Sequence, residues 1–262
     1  MFSRFLLPCL LILLPTFVEA AMVEERVKHV HEGISFESVL IYEDTVTIAR
    51  PAVLMVPNWM GVTPQAIAQA RQVAGSAYVV LVADLYGEGV RPKNPVEAQQ
   101  AATFVRSDRL LMRARANNAL DALLAAGQKV GVDATRTAAI GFCFGGGAVL
   151  ELARSGRKLG GVVSFHGNLD TPNPADAAQI KGSVLVLHGA DDPYVPESQV
   201  QAFAAEMKAQ PQLDWQLVQL GGAVHSFTDP EANTPGRAQY HARSAQRAFA
   251  WMGQFFAEIF KQ

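Results

Sequence analysis

Cysteine is almost missing from this sequence. Only Cys9 and Cys143 occur among 262 residues. Cys9 lies in the apolar first stretch, and without that stretch Cys143 stands alone. A single cysteine excludes an internal disulfide. Two readings of Cys143 remain, a reactive thiol and a small buried hydrophobe. Charge is sparse as well: 18% of residues are ionic, the formal net charge is -2, and no long run carries one sign. No basic stripe interleaved with aromatics is present, so nucleic acid is not an expected partner. The six histidines show no metal-ligand spacing, with His29, His31 and His241 in polar or helical contexts. Neither a metal site nor a cofactor is implied.

Long apolar runs are also lacking outside the first residues. "MFSRFLLPCLLILLPTFVEAA" has an early cation at Arg4, an apolar run from Phe5 to Leu14, and small residues at its end. Val18-Glu19-Ala20 fits the small-x-small cleavage rule of a secretory signal peptide. The expected division is therefore a signal peptide over 1–20 and one domain over 21–262. A periplasmic or secreted monomer with no stable membrane partner follows. The alternative is an uncleaved anchor, since only prolines, Cys9 and Thr16 interrupt Leu6–Val18; the run is short against the ~20 residues of a membrane span.

Half of the residues are hydrophobic, enough for one packed core at this length. Strand-like and helix-like segments alternate. "GISFESVLIYEDTVTIARPAVLMVP" predicts edge strands followed by a first buried strand over 51–57. Thr63-Pro64 predicts a helix start, with the helix reaching about residue 76. "AYVVLVAD" reads as a buried parallel strand. Helix is expected over 95–126 with a break near Ser107, and strands at "RTAAIGF", "GGVVSFHG", "SVLVLHG" and "DWQLVQL". Further helices are expected over 196–209 and 237–260. The alternation implies a mainly parallel α/β sheet with helices on both faces.

"GFCFGGG" places Cys143 at a strand-to-helix corner, in the Gly-x-nucleophile-x-Gly pattern of a nucleophile elbow. Asp192, in "LHGADDPYVP", and His225, in "GGAVHSFTDP", each follow a strand. A histidine takes the thiol proton, and an aspartate orients and stabilises that histidine. The neighbouring Asp191 and Asp192 are also readable as a polar turn. His188 ends a buried strand and is expected to be a hydrogen-bonded scaffold residue, while His166, in "SFHG", is a candidate to line the cleft. Two amides are needed for an oxyanion, and the expected donors are Phe144, after the nucleophile, and Trp59, in "VPNWMGV".

These stretches resemble the dienelactone hydrolase family of α/β-hydrolases: "GFCFGG" its cysteine elbow, "HGADDPYVP" its acid loop, "GGAVHSF" its histidine loop and "VADLYG" the segment after its next strand. The resemblance spans about Phe36 to Phe260. It implies an α/β-hydrolase fold, Cys143 as nucleophile with Asp192 and His225, and Trp59 and Phe144 amides as oxyanion hole. Two departures stand out. Asn58 replaces a glutamate that helps to switch the cysteine on in dienelactone-cleaving members. Glu88 and Asp229 stand where those members carry carboxylate-binding arginines, with Arg91 near enough to compensate in part. An anionic lactone is disfavoured if both acids face the substrate. The expected function is cleavage of a small-molecule ester, lactone or thioester through an acyl-enzyme. The rival is a non-catalytic binding or thiol-sensing protein on the same scaffold.

Overall fold

The computed structural model describes residues 21–261; the expected signal peptide lies outside them. Among the described residues, no helix is long and apolar enough to cross a membrane.

Eight strands form one sheet: β1 (Met22–His31), β2 (Ile34–Glu43), β3 (Arg50–Val56), β4 (Val79–Val82), β5 (Val132–Phe142), β6 (Gly161–Phe165), β7 (Ser183–Gly189) and β8 (Trp215–Leu220). Their order across the sheet is β1-β2-β4-β3-β5-β6-β7-β8. β1 and β2 pair antiparallel, β2 meets β4 antiparallel, and β4 through β8 run parallel.

The apolar runs explain the layering. Every residue of β3 and β4 is buried, as strands covered on both faces require. Because side chains alternate across a strand, β3 divides its residues between two cores. Ala52, Leu54 and Val56 join α3 (Arg109–Gly127) and α4 (Phe144–Arg154) on one face. Val53 and Met55 join α1 (Pro64–Ala74) and α6 (Ala242–Ile259) on the other. The first face also packs residues of α2 (Pro95–Ser107) and α5 (Glu197–Lys208).

Local chemistry sets the helix boundaries. Thr63 Oγ1 accepts from the Ala66 N–H at 3.1 Å, and Pro64 opens α1. The expected break near Ser107 falls at Asp108, whose extended backbone ends α2 while its Oδ1 caps α3 by accepting from Leu111 N–H. Two boundaries differ from expectation. The edge strand β1 differs from the sequence expectation: "MVEERVKHVH" is rich in charge and has no buried residue, which guards a sheet edge against further pairing. The last helix begins at Ala242 instead of residue 237. Residues before it form a small hairpin of β9 (Asn233–Thr234) and β10 (Ala238–Gln239), and His241 Nδ1 caps the helix by accepting from Ser244 N–H.

The chain steps from β3 outward to β4 and then returns to β5 on the other side of β3. Neighbouring loops therefore diverge beyond the carboxyl ends of β3 and β5, where open α/β sheets bind ligands.

Candidate active site

Cys143 sits immediately after β5 and before α4, with φ 55° and ψ -117°. The left-handed bend falls on the cysteine itself. The flanking glycines serve close approach: a Cβ on Gly141 would lie 2.0 Å from Gly145 O, and one on Gly145 would lie 2.0 Å from Val56 O. A strained nucleophile thus persists because β3, β5 and α4 meet without side chains between them. Its N–H donates to Phe165 O at 3.0 Å and to His166 Nδ1 at 3.2 Å.

The loops after β7 and β8 bring Asp192 and His225 to this corner. His225 Nδ1 donates to Asp192 Oδ2 at 2.7 Å, and both residues are buried. Asp192 Oδ1 accepts from Tyr194 N–H at 2.8 Å, which leaves its carboxylate oriented toward the imidazole. The other side of the His225 ring and the backbone N–H groups of Phe144 and Trp59 are turned to Cys143 around one cavity, where they favour its thiolate. The structure therefore brings together all five residues expected at the reaction centre.

Electrostatics follow from that packing. Burial pushes the Cys143 thiol up, but the His225 charge, its hydrogen bond and the two amides outweigh burial and hold it below its ordinary value. The start of α4 adds a favourable dipole. Burial pushes His225 down, but the Cys143 charge and the Asp192 hydrogen bond raise it to about 10. Both shifts favour a thiolate beside an imidazolium.

His166 lies edge-on to His225, with ring centroids 5.2 Å apart. Burial and the neighbouring His225 hold it well below the usual histidine range. As a neutral ring it accepts from Cys143 N–H through Nδ1 and donates from Nε2 to Thr228 Oγ1 at 2.8 Å. His188 is buried but, contrary to expectation, its Nδ1 has no hydrogen-bond partner among the described residues.

Cys143 and His225 open into a cavity of about 440 Å³. Asn58, Glu88, Arg91 and Asp229 are not among its walls. Glu88 is paired with Lys28 at 2.6 Å. Arg91 binds Asp84 at 3.1 Å and the Gly87 carbonyl at 2.8 Å. Asp229 accepts from Gln65 Nε2 at 2.6 Å and, with Asn58 and His166, lines a separate cavity of about 400 Å³ between α1 and α6. The cations at the Cys143 cavity are instead Arg106 and Arg237, and among the described residues no carboxylate lines it. Arg106 shares Asp170 with Arg109. Arg237 lies over the Tyr194 ring, 5.5 Å from its centroid. Both escaped the sequence reading. Gln99, Thr103 and Arg106 recur with helical spacing along α2, but that periodicity looks the same for a solvent face and for a cavity wall.

A mostly parallel sheet, a nucleophile corner after β5, and an acid and a histidine after later strands define an α/β-hydrolase. Known proteins narrow the class. The model of the dienelactone hydrolase family matches residues 36–260, and the chain belongs to that family of ester-acting hydrolases. A putative carboxymethylenebutenolidase from Saccharolobus solfataricus is 31% identical over 123 residues; the match covers 47% of this chain and 44% of that relative, less than half of each. The solved structure m3DLH superposes with a TM-score of 0.85 at 38% identity, covering 92% of this chain and 99% of that one. A dienelactone hydrolase-like promiscuous phosphotriesterase from metagenomic libraries gives 0.85 at 37%, with the same coverage.

Proposed function

We propose that this chain is an exported, monomeric hydrolase that cleaves an ester, lactone or thioester through a Cys143 acyl-enzyme. The observation that carries the reading is that His225, bonded to Asp192 at 2.7 Å, shares one cavity with Cys143, Trp59 and Phe144. The thiolate attacks the carbonyl carbon, forming a C–S bond and moving the carbonyl electron pair onto oxygen. Trp59 and Phe144 N–H groups receive that oxyanion. Collapse breaks the bond to the leaving group, which takes the His225 proton. Neutral His225 then removes a proton from water as it attacks the thioester, and the second collapse returns the Cys143 thiolate. Asp192 holds the imidazole in the required tautomer throughout. Every group in the scheme comes from one chain, and no cofactor enters it.

The cavity charge supports an acyl portion that carries an anion. The repulsion expected from Glu88 and Asp229 lacks its premise, because those acids point elsewhere and Arg106 and Arg237 line the cavity. The deciding experiment is a panel of esters, lactones and thioesters, with one phosphotriester, run on the protein without residues 1–20. Multiple turnovers that vanish in Cys143→Ala support the hydrolase. A single stoichiometric modification with no turnover on any substrate favours the thiol-sensing alternative.

A further inference from the structure

The Trp59 amide is useful only if it points at the reacting oxygen, and a loop amide has no helix or sheet to aim it. The segment 58–61 is neither helix nor strand. Its two consecutive peptide units are nevertheless held at both ends. The unit joining Asn58 to Trp59 carries the Trp59 N–H on the wall of the cavity that holds Cys143, where it favours the thiolate, while its carbonyl, Asn58 O, accepts from Gly61 N–H at 2.9 Å. In the next unit, Trp59 O accepts from the Tyr86 hydroxyl at 2.9 Å, and Met60 N–H donates to the Asn58 side chain, Oδ1, at 3.0 Å.

Tyr86 is itself anchored. Asp84, 2% exposed after β4, accepts from Tyr86 N–H at 2.9 Å and from Gly87 N–H at 3.0 Å. Arg115 donates to the carbonyls of Leu85 and Tyr86 at 2.7 and 3.2 Å. The ring packs on Gly61, where a Cβ would come within 3.2 Å of it at φ +74°, and on Phe144, 5.5 Å between centroids. Its hydroxyl therefore has one direction to take, toward the Trp59 carbonyl.

We propose that Tyr86 and Asn58 are positioning residues for the oxyanion hole, gripping opposite ends of the Trp59–Met60 peptide unit to keep the Trp59 N–H on the reacting atom. The inference rests on the acyl-transfer reading of Cys143. It gives Asn58 a task different from that of a proton-carrying side chain: its acceptor is spent on the loop. Preorganisation of this kind matters because removing one oxyanion donor outright costs about 10²–10³ in kcat, and loosening its aim forfeits part of that.

The test pairs ester turnover with alkylation of Cys143 by iodoacetamide, a displacement at a saturated carbon that forms no oxyanion. Tyr86→Phe keeps the ring packing and loses only the hydroxyl. The expected result is a kcat about 10-fold lower, or about 1.4 kcal/mol, with KM and the alkylation rate of the fully ionised thiol, read on the high-pH plateau, within about twofold. Asn58→Ala should show the same signature, and Asn58→Asp, which keeps the acceptor, should recover most of the loss. The double variant Asn58→Ala/Tyr86→Phe should lose less than the product of the single losses, because both act on one peptide unit. An unchanged kcat in Tyr86→Phe, equal falls in turnover and alkylation, or strictly multiplicative losses would each overturn the proposal. A wild type that neither turns over nor is acylated by p-nitrophenyl acetate overturns the hydrolase reading as well; an active wild type beside an unimpaired Tyr86→Phe overturns this inference alone.

Discussion

Asp192 and His225 lie 2.7 Å apart, carboxylate to Nδ1, buried together at the carboxyl edge of the sheet. The contact leaves the other side of the imidazole for the cysteine and stabilises the charged ring. Asp192→Asn keeps an acceptor for the Tyr194 amide but loses the negative charge and frees the histidine tautomer. Its kcat should fall by about 10²-fold or more, with the thermal midpoint nearly unchanged. Steady-state kinetics beside a melt decide this. A variant that keeps wild-type turnover would remove Asp192 from the mechanism.

The same pair governs how Cys143 titrates. The thiol is held below its ordinary value, so the thiolate forms at lower pH than it would for a free cysteine. His225, raised to about 10, stays cationic through that window and supplies much of the stabilisation. In His225→Ala the cation is gone while burial remains. The sign is then fixed: the midpoint of iodoacetamide alkylation against pH must move upward. A wild-type midpoint at or above that of a free thiol, about 8.5, would contradict the ion pair.

Cys143→Ala should abolish turnover and leave the fold standing. The bend at φ 55° belongs to a residue with a Cβ, so alanine introduces no new backbone clash and removes only the sulfur. Turnover in a folded Cys143→Ala protein would mean another nucleophile.

Export is a separate expectation. Expressed in a Gram-negative host, the protein should be recovered from the periplasm lacking its first ~20 residues. Intact-mass measurement gives the answer, and a purified protein that still carries Phe2 to Ala20 would exclude cleavage at the expected site.

The parallel sheet was legible because its central strands β3, β4, β6 and β7 carry buried, mostly apolar runs, and the three site loops were legible because each follows a strand. Asp192 and His225 needed only that order and the elbow spacing to be placed beside Cys143. What sequence did not disclose depends on where exposed side chains turn. β1 reads as a polar surface segment because it is an edge strand whose charges protect it. Glu88 and Asp229 stand where the resemblance to the family would place arginines, yet one is drawn to Lys28 on β1 and the other to Gln65 on α1. Neither partner is near in sequence, at separations of 60 and 164 residues. Arg237 is equally distant from the order of motifs, since it reaches the cavity through a short hairpin that carries no pattern of its own.

That displacement of charge predicts a preference for an anionic substrate over a neutral one. Among the described residues, no carboxylate lines the Cys143 cavity and none pairs with Arg237, which is exposed and rests on Tyr194. Arg106 and Arg109 together carry two positive charges against the one of Asp170. An anionic acyl group in the cavity therefore meets net attraction. At about 7 Å and an effective dielectric between 20 and 80, one such pair is worth roughly 0.6–2.4 kcal/mol. Exposure and salt push the value to the lower part of that range, so an advantage of about 5-fold in kcat/KM is expected for an ester with a free carboxylate over its neutral match. Arg237→Gln should erase most of it and flatten its dependence on ionic strength. Glu88→Arg, altering a residue outside the cavity, should leave the ratio where it was. A wild type that prefers the neutral ester would show that the arginines do not face the bound acyl group. A ratio that responds to Glu88→Arg would place that residue nearer the substrate than its pairing with Lys28 allows.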